Sequence, residues 1–314
     1  MEISTSFHPA DGAGITVVGG ANVDIGGKPF APLVERDSNP GKVRTSVGGV
    51  GRNIAHNLRL LGLPVAFLTA LGRDAHGDRI AAECALAGIG CDRILRVREE
   101  PTSTYLFIAD ETGDMHLAVS DMEICRRINP EYLAGELDLL EASAAVVLDA
   151  NLPEESIRFL AERLRVPLFA DAVSVAKAGR LRGVLGRLHT LKPNLQEAEL
   201  LSGIHIRSEA DLLRAADTLL ATGLKRVFIS LGREGVLAAG EEGTIHVPCF
   251  PAKAVNMTGA GDAMMAGLVW AWTEKLSLED SARAAAAAAA VAVESSHTVN
   301  PALSASEVRR RLQA

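Results

Sequence analysis

The stretch NMTGAGDAMMAG, residues 256–267, contains the side chain with the clearest chemical potential, an aspartate that follows a Gly-Ala-Gly turn. This residue is Asp262, and the apolar spacing after it predicts a helix. Backbone N–H groups of such a turn can bind an anion, as phosphoryl transfer requires, and a carboxylate there can accept the proton of an attacking hydroxyl group. Alternatively, Asp262 only interacts with the helix N-terminus, an effect of about 0.3–1 kcal/mol, and the stretch alone leaves both interpretations open.

Two earlier stretches place polar side chains after predicted strands. In VVGGANVDIGG, Asn22 and Asp24 alternate along an extended segment, so they project to one side and suit the vicinal hydroxyls of a sugar, although a polar turn is the simpler interpretation. In SVGGVGRNIAHN, glycines permit close approach of a ligand to the backbone and Asn53 lies one turn into a helix. The alternative is a tight strand-to-helix turn, and the pattern is neither a Walker A loop nor GxGxxG.

Two later stretches are also open to two interpretations. In LKPNLQEAE, Asn194 and Glu197 are three residues apart after a strand, which fits either a capping box or an outer-sphere site for Mg²⁺ or phosphate. In ISLGREGV, Gly232 and Gly235 follow a strand and form either a loop at the edge of a nucleotide or a plain turn.

The composition narrows the class of protein. The chain has 314 residues, 48% of them hydrophobic, which is enough for one large α/β domain. A net charge of -7 argues against a general nucleic-acid or anionic-membrane surface. The four cysteines form no CxxC pair, which predicts buried free thiols in a reducing compartment. Neither a signal peptide nor an apolar run of membrane-spanning length is recognisable, so a cytoplasmic location is expected.

The order of elements predicts an α/β fold. Strands alternate with helices of roughly 10–15 residues, which predicts a mostly parallel sheet with helices on both faces. The segments at about 25–46 and 101–121 break this rhythm and are predicted to be antiparallel strands of a small sheet, inserted into a single domain over 1–314 as a lid. Ligands in open α/β sheets bind at the carboxyl ends of the strands, where several of these motifs fall.

The motifs together are more informative than any one of them. A GG…NxD start, a GGxGxN turn, a β-hairpin insertion, KPNxxE, SLGxxG and a late TGAGD occur in this order over nearly the whole chain. This set resembles the ribokinase-like (PfkB) carbohydrate and nucleoside kinases, whose two signature regions are the GGxGxN and TGAGD stretches. The resemblance implies a three-layer α/β/α fold with a small β-sheet lid, and transfer of phosphoryl from ATP, with Mg²⁺, to an alcohol group.

The amino acids within and beside these motifs indicate one branch of this family. DSNPGKV, TSTYL and Val50 in the GGVGRN turn resemble the branch that phosphorylates the 5′-hydroxyl of pseudouridine, whereas ribokinase-type members commonly carry lysine at the position of Val50. The alternatives are another PfkB kinase, acting on ribose or a purine nucleoside, or a non-catalytic nucleoside-binding protein on this fold. A Rossmann dehydrogenase is disfavoured because no GxGxxG follows the first strand.

The resemblance assigns roles to individual residues. Asp262 would deprotonate the 5′-hydroxyl, and the backbone of Gly259, Ala260 and Gly261 would form the anion hole. The implied contacts to the ribose are Asn22, Asp24, Gly48, Gly49, Asn53 and Asp149. Those to Mg²⁺ and the phosphates are Asn194 and Glu197, and those flanking the nucleotide are Ser230, Gly232 and Gly235. Lid residues expected to contact the base are Ser38, Asn39, Lys42 and Thr104.

Two further expectations follow from the resemblance. The lid often also pairs subunits in this family, so a homodimer that binds a small nucleoside and ATP is expected. Many relatives have an aspartate where this chain has Asn256, in a loop that binds a monovalent cation. An amide keeps a carbonyl oxygen but brings no charge, so the resemblance does not extend to dependence on potassium.

Overall fold

The structure is a computed structural model that describes residues 14–313. Its strands are β1 (Ile15–Val18), β2 (Asn22–Pro29), β3 (Gly41–Gly48), β4 (Val65–Leu68), β5 (Ala70–Gly72), β6 (Leu95–Val97), β7 (Thr104–Ala109), β8 (Met115–Asp121), β9 (Ala145–Asp149), β10 (Leu168–Asp171), β11 (Thr190–Lys192), β12 (Arg226–Ser230), β13 (Val236–Gly240) and β14 (Gly243–Val247). Its α-helices are α1 (Val50–Leu60), α2 (Ala75–Leu86), α3 (Pro130–Gly135), α4 (Leu137–Ala142), α5 (Glu154–Arg163), α6 (Val175–Ala178), α7 (Leu195–Ser202), α8 (Glu209–Leu220), α9 (Ala260–Thr273), α10 (Leu278–Val293) and α11 (Ala305–Leu312).

The main sheet has eight strands in the order β14-β13-β12-β11-β10-β9-β1-β4. The strands from β12 to β4 pair in parallel, and β13 and β14 add an antiparallel edge. This arrangement confirms the predicted mostly parallel sheet. Strands β13 and β14, which the hydrophobic pattern had not indicated, extend it beyond the predicted βαβ units.

Alternate side chains of the main sheet point to opposite faces, as the two-residue period of a strand requires, and enter separate clusters of buried apolar residues. Val18 packs with apolar residues of α5, α7 and α8, whereas its neighbour Val17 packs with those of α1, α9 and α10. Helices therefore cover both faces of the sheet, and the three-layer α/β/α arrangement is confirmed.

Helices α9 and α10 contact each other through small side chains. A Cβ atom built on Gly267 of α9 would lie 3.0 Å from the Cα atom of Ala285 in α10. The alanine-rich stretch of α10 is almost entirely buried, so the alanines serve close helix packing. None of the helices described is both long and apolar enough to cross a membrane.

The second sheet has four strands in the order β3-β2-β7-β8 and corresponds to the two segments predicted as a lid. It is hereafter called the small sheet. The pairs β2–β3 and β7–β8 are antiparallel, as predicted, but the two hairpins join through a parallel β2–β7 pair. The strand that precedes Asn22 and Asp24 is β1, which ends at Val18, and after Gly19 and Gly20 the chain starts β2 in the small sheet.

The cysteines are free thiols, as predicted, but not all are buried. Cys84 and Cys125 are buried, whereas Cys91 is partly exposed and Cys249 is exposed. Burial of all four was therefore a wrong expectation.

Candidate active site

The candidate site lies where the carboxyl ends of β1, β9, β10 and β11 meet the first turns of α1 and α9. It is the position expected for a ligand site in an open α/β sheet. The small sheet stands beside it, because β2 begins directly after the Gly19-Gly20 turn that follows β1.

Asp262 lies in the first turn of α9, which begins after Gly259. Gly259 has a φ of 86°, and a side chain there would collide with the backbone carbonyl of Thr298, so this entry into the helix requires glycine. Asp262 is only 9% exposed, and its Oδ2 accepts a hydrogen bond of 2.9 Å from Nδ2 of Asn53 in α1. The structure thus brings together two of the predicted residues that are 209 positions apart.

The surroundings of Asp262 favour its protonated form. Burial, and then the negative charge of Asp171, raise the pKa of Asp262 from its ordinary value to about 8, although Asn53 and Lys192 act in the opposite direction. A carboxyl group with a pKa in this range can take up and release a proton near neutral pH, which a general base requires and a plain helix cap does not.

A second polar group is formed around Asp24 in β2. Nδ2 of Asn22 donates a hydrogen bond of 2.7 Å to Oδ1 of Asp24. Gly48 pairs with Asn22 across the strands, and a side chain at Gly48 would collide with the Asp24 carboxylate. Gly49 is the residue directly before α1 and has a φ of 100°, and a side chain there would collide with the backbone of Gly20 and Ala21. These predicted residues form one cluster next to Asn53.

The face of the small sheet that carries Asp24 is aromatic. Tyr105 pairs with Asp24, and Phe107 pairs with Gly26, where the lack of a side chain lets the Phe107 ring lie across β2. Thr104 pairs with Val23, so the pleat turns it to the opposite face. The contact of Thr104 with the base stays a prediction, and the side chains on the Asp24 face are its neighbour Tyr105 and Phe107.

The other residues predicted to contact the base lie on or next to the exposed loop between β2 and β3. The side chain of Asn39 bonds within this loop, accepting from the Val34 amide at 2.8 Å and donating to the Val34 carbonyl at 2.9 Å. Ser38 and Lys42 are exposed. Ser38 and Asn39 are not brought together with Asp24. Lys42, in β3, pairs with Lys28 and therefore lies on the same face of the small sheet as Asp24, four residues further along β2.

Asp149, at the carboxyl end of β9, is completely buried. Its Oδ2 accepts a hydrogen bond of 2.9 Å from the Gly20 amide, and its Oδ1 accepts one of 2.8 Å from the Asn151 amide. Burial raises the pKa of Asp149, with the backbone donors opposing it. In this arrangement the carboxylate holds the turn that leads into β2.

Sequence reasoning missed two charged residues of the site, Asp171 and Lys192. They end the neighbouring strands β10 and β11, pair in register, and form a buried ion pair with Nζ 3.0 Å from Oδ2. Burial alone would lower the pKa of Lys192, but Asp171, Glu197 and Asp262 outweigh burial and raise it. The available signal was position, since both are charged residues at the carboxyl ends of predicted parallel strands.

Asn194 and Glu197 form the predicted capping box at the start of α7. The Asn194 amide donates to Oε2 of Glu197 at 2.8 Å, and the Glu197 amide donates to Oδ1 of Asn194 at 2.9 Å. Glu197 is buried, which raises its pKa, and it lies close enough to Asp171 and Lys192 for their charges to influence it. Mg²⁺ keeps most of its waters and needs only one or two carboxylates, so Glu197 fits an outer-sphere site for such an ion. Both oxygens of Asp171 already have partners, the Val173 amide and the Lys192 ammonium.

The predicted nucleotide loop follows β12. Ser230 bridges to Asn194, and its amide donates to the Pro193 carbonyl at 2.9 Å, so this loop adjoins the capping box. Gly232 opens a short 3₁₀ turn that ends at Gly235.

Asn256 lies in the loop before α9. Its Oδ1 accepts a hydrogen bond of 3.0 Å from the Thr258 amide, and its Nδ2 faces the Ser296 carbonyl at 3.5 Å. The side chain therefore adds a contact to the segment at Ser296, beside the backbone hydrogen bonds that Val255 and Asn256 donate to the Val293 carbonyl.

Comparisons with known proteins show the family and the fold of this chain. A pseudouridine kinase of Escherichia coli K12 is 39% identical over 94% of this chain and 95% of its own length. An uncharacterized sugar kinase of the same strain is 39% identical over 92% of this chain and 80% of its own length. The structure of Arabidopsis thaliana ribokinase with ribose and ATP is similar with a TM-score of 0.87 at 26% identity, covering 96% of this chain and 99% of that one. The pfkB family carbohydrate kinase model matches residues 13–305, and the chain belongs to this family of ribokinase-like phosphotransferases that act on hydroxyl acceptors.

Proposed function

We propose that this chain transfers the γ-phosphoryl group of ATP to the 5′-hydroxyl of pseudouridine. The observation that carries the chemistry is the buried Asp262, which is bonded to Asn53 at the N-terminus of α9 and has a pKa near neutrality. The substrate is supported by the resemblance of the DSNPGKV segment and by the similarity to a pseudouridine kinase at 39% identity.

In the proposed step the acceptor hydroxyl attacks the γ-phosphorus in line, its proton passes to Asp262, and the bond to the leaving ADP oxygen breaks. The backbone N–H groups of 259–261 bind the phosphoryl oxygens, aided by the dipole of α9. The hydrogen bond from Asn53 fixes the Asp262 carboxylate. Positioning of the two reactants supplies much of the remaining acceleration.

The proposed sugar site uses Asn22, Asp24, Asn53 and the adjacent backbone of Gly48 and Gly49. We infer that Asp149 acts as a positioning residue, because both of its oxygens already bind backbone amides. Tyr105 and Phe107 offer an aromatic surface for the base. The proposed contacts to the base also include three residues that would approach it when the small sheet closes over the site, Ser38, Asn39 and Lys42.

The phosphate end of ATP is proposed to lie between α9 and α7. Asn194 and Glu197 would hold Mg²⁺ and its waters, and Ser230, Gly232 and Gly235 would flank the nucleotide. Bound Mg²⁺ would offset charge on the phosphate oxygens. No potassium requirement is included, because the Asn256 amide already joins the loop segments that a cation would otherwise link.

A substrate panel tests the proposal. Purified protein with ATP and Mg²⁺ is offered pseudouridine, uridine, guanosine, adenosine, ribose and fructose, in potassium and in sodium salts. We expect the highest kcat/KM for pseudouridine and similar rates in the two salts. A preference for ribose, fructose or a purine nucleoside would contradict pseudouridine as the substrate. Absence of ATP turnover with every compound of the panel would contradict the proposal that the protein is a kinase. Strong activation by potassium would contradict the role proposed for Asn256.

We further propose that two copies pair through the outer face of the small sheet, the face opposite Asp24. Register places four large apolar side chains there, with exposed fractions of 71% for Val43, 42% for Leu106, 50% for Leu117 and 60% for Val119. Apolar patches of this kind mark interaction surfaces. Light scattering is expected to give twice the chain mass of 33.1 kDa, and Leu117→Lys with Val119→Lys is expected to give the monomer. A monomeric parent protein would contradict this pairing.

A further inference from the structure

Lys192 connects two parts of the site that the proposed function treats separately. It is the one buried lysine among residues 14–313, at 6% exposure, and its ammonium lies 3.0 Å from Asp171. A Cβ atom built on Gly261 would lie 3.1 Å from the same ammonium nitrogen. The ammonium therefore stands directly against the first turn of α9, at the end of the helix that binds anions.

If Lys192 and Asp171 only stabilised the fold, the buried positive and negative charges around them would be expected to be equal in number. Here the carboxyl groups of Asp149, Asp171, Glu197 and Asp262 are all buried near one another, and Lys192 is the one buried ammonium among them. A triphosphate that entered this site would add further negative charge. An ammonium has three N–H donors and Asp171 accepts only one, so Lys192 keeps donors for a second anionic partner.

We propose that Lys192 donates hydrogen bonds to the oxygens of the phosphoryl group in transfer, and that Asp171 positions its ammonium for this. The inference rests on the proposed phosphoryl transfer at Asp262 and adds a catalytic residue to it. While the new O–P bond forms and the bond to ADP breaks with its electron pair leaving on ADP, the acceptor proton goes to Asp262 and Lys192 keeps its protons. Contacts made to charge in the transition state lower the barrier more than they tighten substrate binding.

The test removes the charge of Lys192 without leaving Asp171 as an unpaired buried carboxylate, which by itself would destabilise the fold. The variant is the double substitution Lys192→Met with Asp171→Asn. We expect kcat to fall by about 10²–10³, as for the loss of one transition-state donor. The nucleoside Kd from calorimetry should be nearly unchanged, whereas the affinity for ADP with tetrafluoroaluminate, a phosphoryl mimic measured without turnover, should fall with kcat.

Lys225→Met is the matched control, because Lys225 is exposed and precedes β12 at the opposite end of the main sheet. It should leave kcat and both affinities unchanged. The inference is overturned if the double variant loses less than about tenfold in kcat, or if nucleoside affinity falls in parallel with kcat as in a merely structural role. All variants are assayed with the acceptor that the parent protein phosphorylates fastest. If that acceptor is not pseudouridine, the proposed substrate is contradicted, but the role of Lys192 can still be tested.

Discussion

Asp262→Asn is expected to lower kcat by about 10²–10⁴, which is the usual contribution of a general base. Asparagine has nearly the same shape and its side-chain oxygen can still accept the hydrogen bond from Asn53, so the geometry of the 2.9 Å contact is kept while proton acceptance is lost. Nucleoside and ATP affinities should change little. Steady-state kinetics combined with calorimetric binding of each substrate separates these quantities.

The matched control is Asp280→Asn, since Asp280 also lies in the first turn of its helix, α10, and is exposed. If Asp262 were only a helix cap, both variants would lose a similar, small amount of stability, about 0.3–1 kcal/mol, and both would keep their activity. A near-normal kcat for Asp262→Asn would remove Asp262 from the role of base.

The pH dependence gives a second measurement on the same residue. Since the carboxylate is the form that accepts a proton, kcat/KM of the parent is expected to rise with pH and level off above about 8. The pKa of Asp262 is raised on folding, so the folded state binds more protons than the unfolded state between the two pKa values. The free energy of unfolding should therefore decrease as pH rises through this range, and Asp262→Asn should make that decrease smaller, because Asp149 and Glu197, whose pKa values are also raised, still contribute to it.

Asp24→Ala is expected to lower kcat/KM for the nucleoside by about 10²-fold, mainly through KM. The estimate assumes two lost hydrogen bonds from sugar hydroxyls to the carboxylate, at roughly 1.5 kcal/mol each. The loss should disappear with a 2′,3′-dideoxynucleoside, whose sugar lacks those hydroxyls. Rates for the two nucleosides with the parent and the variant form a cycle that isolates this contact.

Asp121→Ala serves as the control for Asp24→Ala, because Asp121 ends β8 of the same sheet and pairs with Thr104 on the face away from Asp24. Its kinetics should match the parent. Equal losses on the nucleoside and on its dideoxy analogue would show that Asp24 supports the sheet and does not bind the sugar.

Those parts of the site could be predicted from the sequence in which the residues of a short motif determine its local geometry. The glycine turn before Asp262 and the capping box of Asn194 and Glu197 are local, so residue types three or four positions apart determine their shape. The α/β layers were predictable for a similar reason, because hydrophobic periodicity is a property of each segment. In all of these cases the interacting groups are close in the chain.

What could not be predicted depends on pairing between distant segments. The face on which Thr104 lies is decided by its register with Val23, and no pattern within β7 specifies that register. The pairing of Asp171 with Lys192 required the order of β10 and β11 in the sheet. The parallel contact between the two hairpins of the small sheet is likewise set by tertiary structure.

The tight contact between α9 and α10 has a consequence for how this protein can change during evolution. A methyl group added at Gly267 would lie 3.0 Å from the Cα atom of Ala285, so the two helices would have to move apart slightly and a larger side chain would displace α9 further. The same helix carries Asp262 at its first turn, and displacements of about 1 Å in reacting groups can cost 10²-fold in rate. Larger residues at the buried alanines of α10, which have no chemistry of their own, should therefore lower kcat as well as stability, whereas the partly exposed Ala289 should tolerate them better.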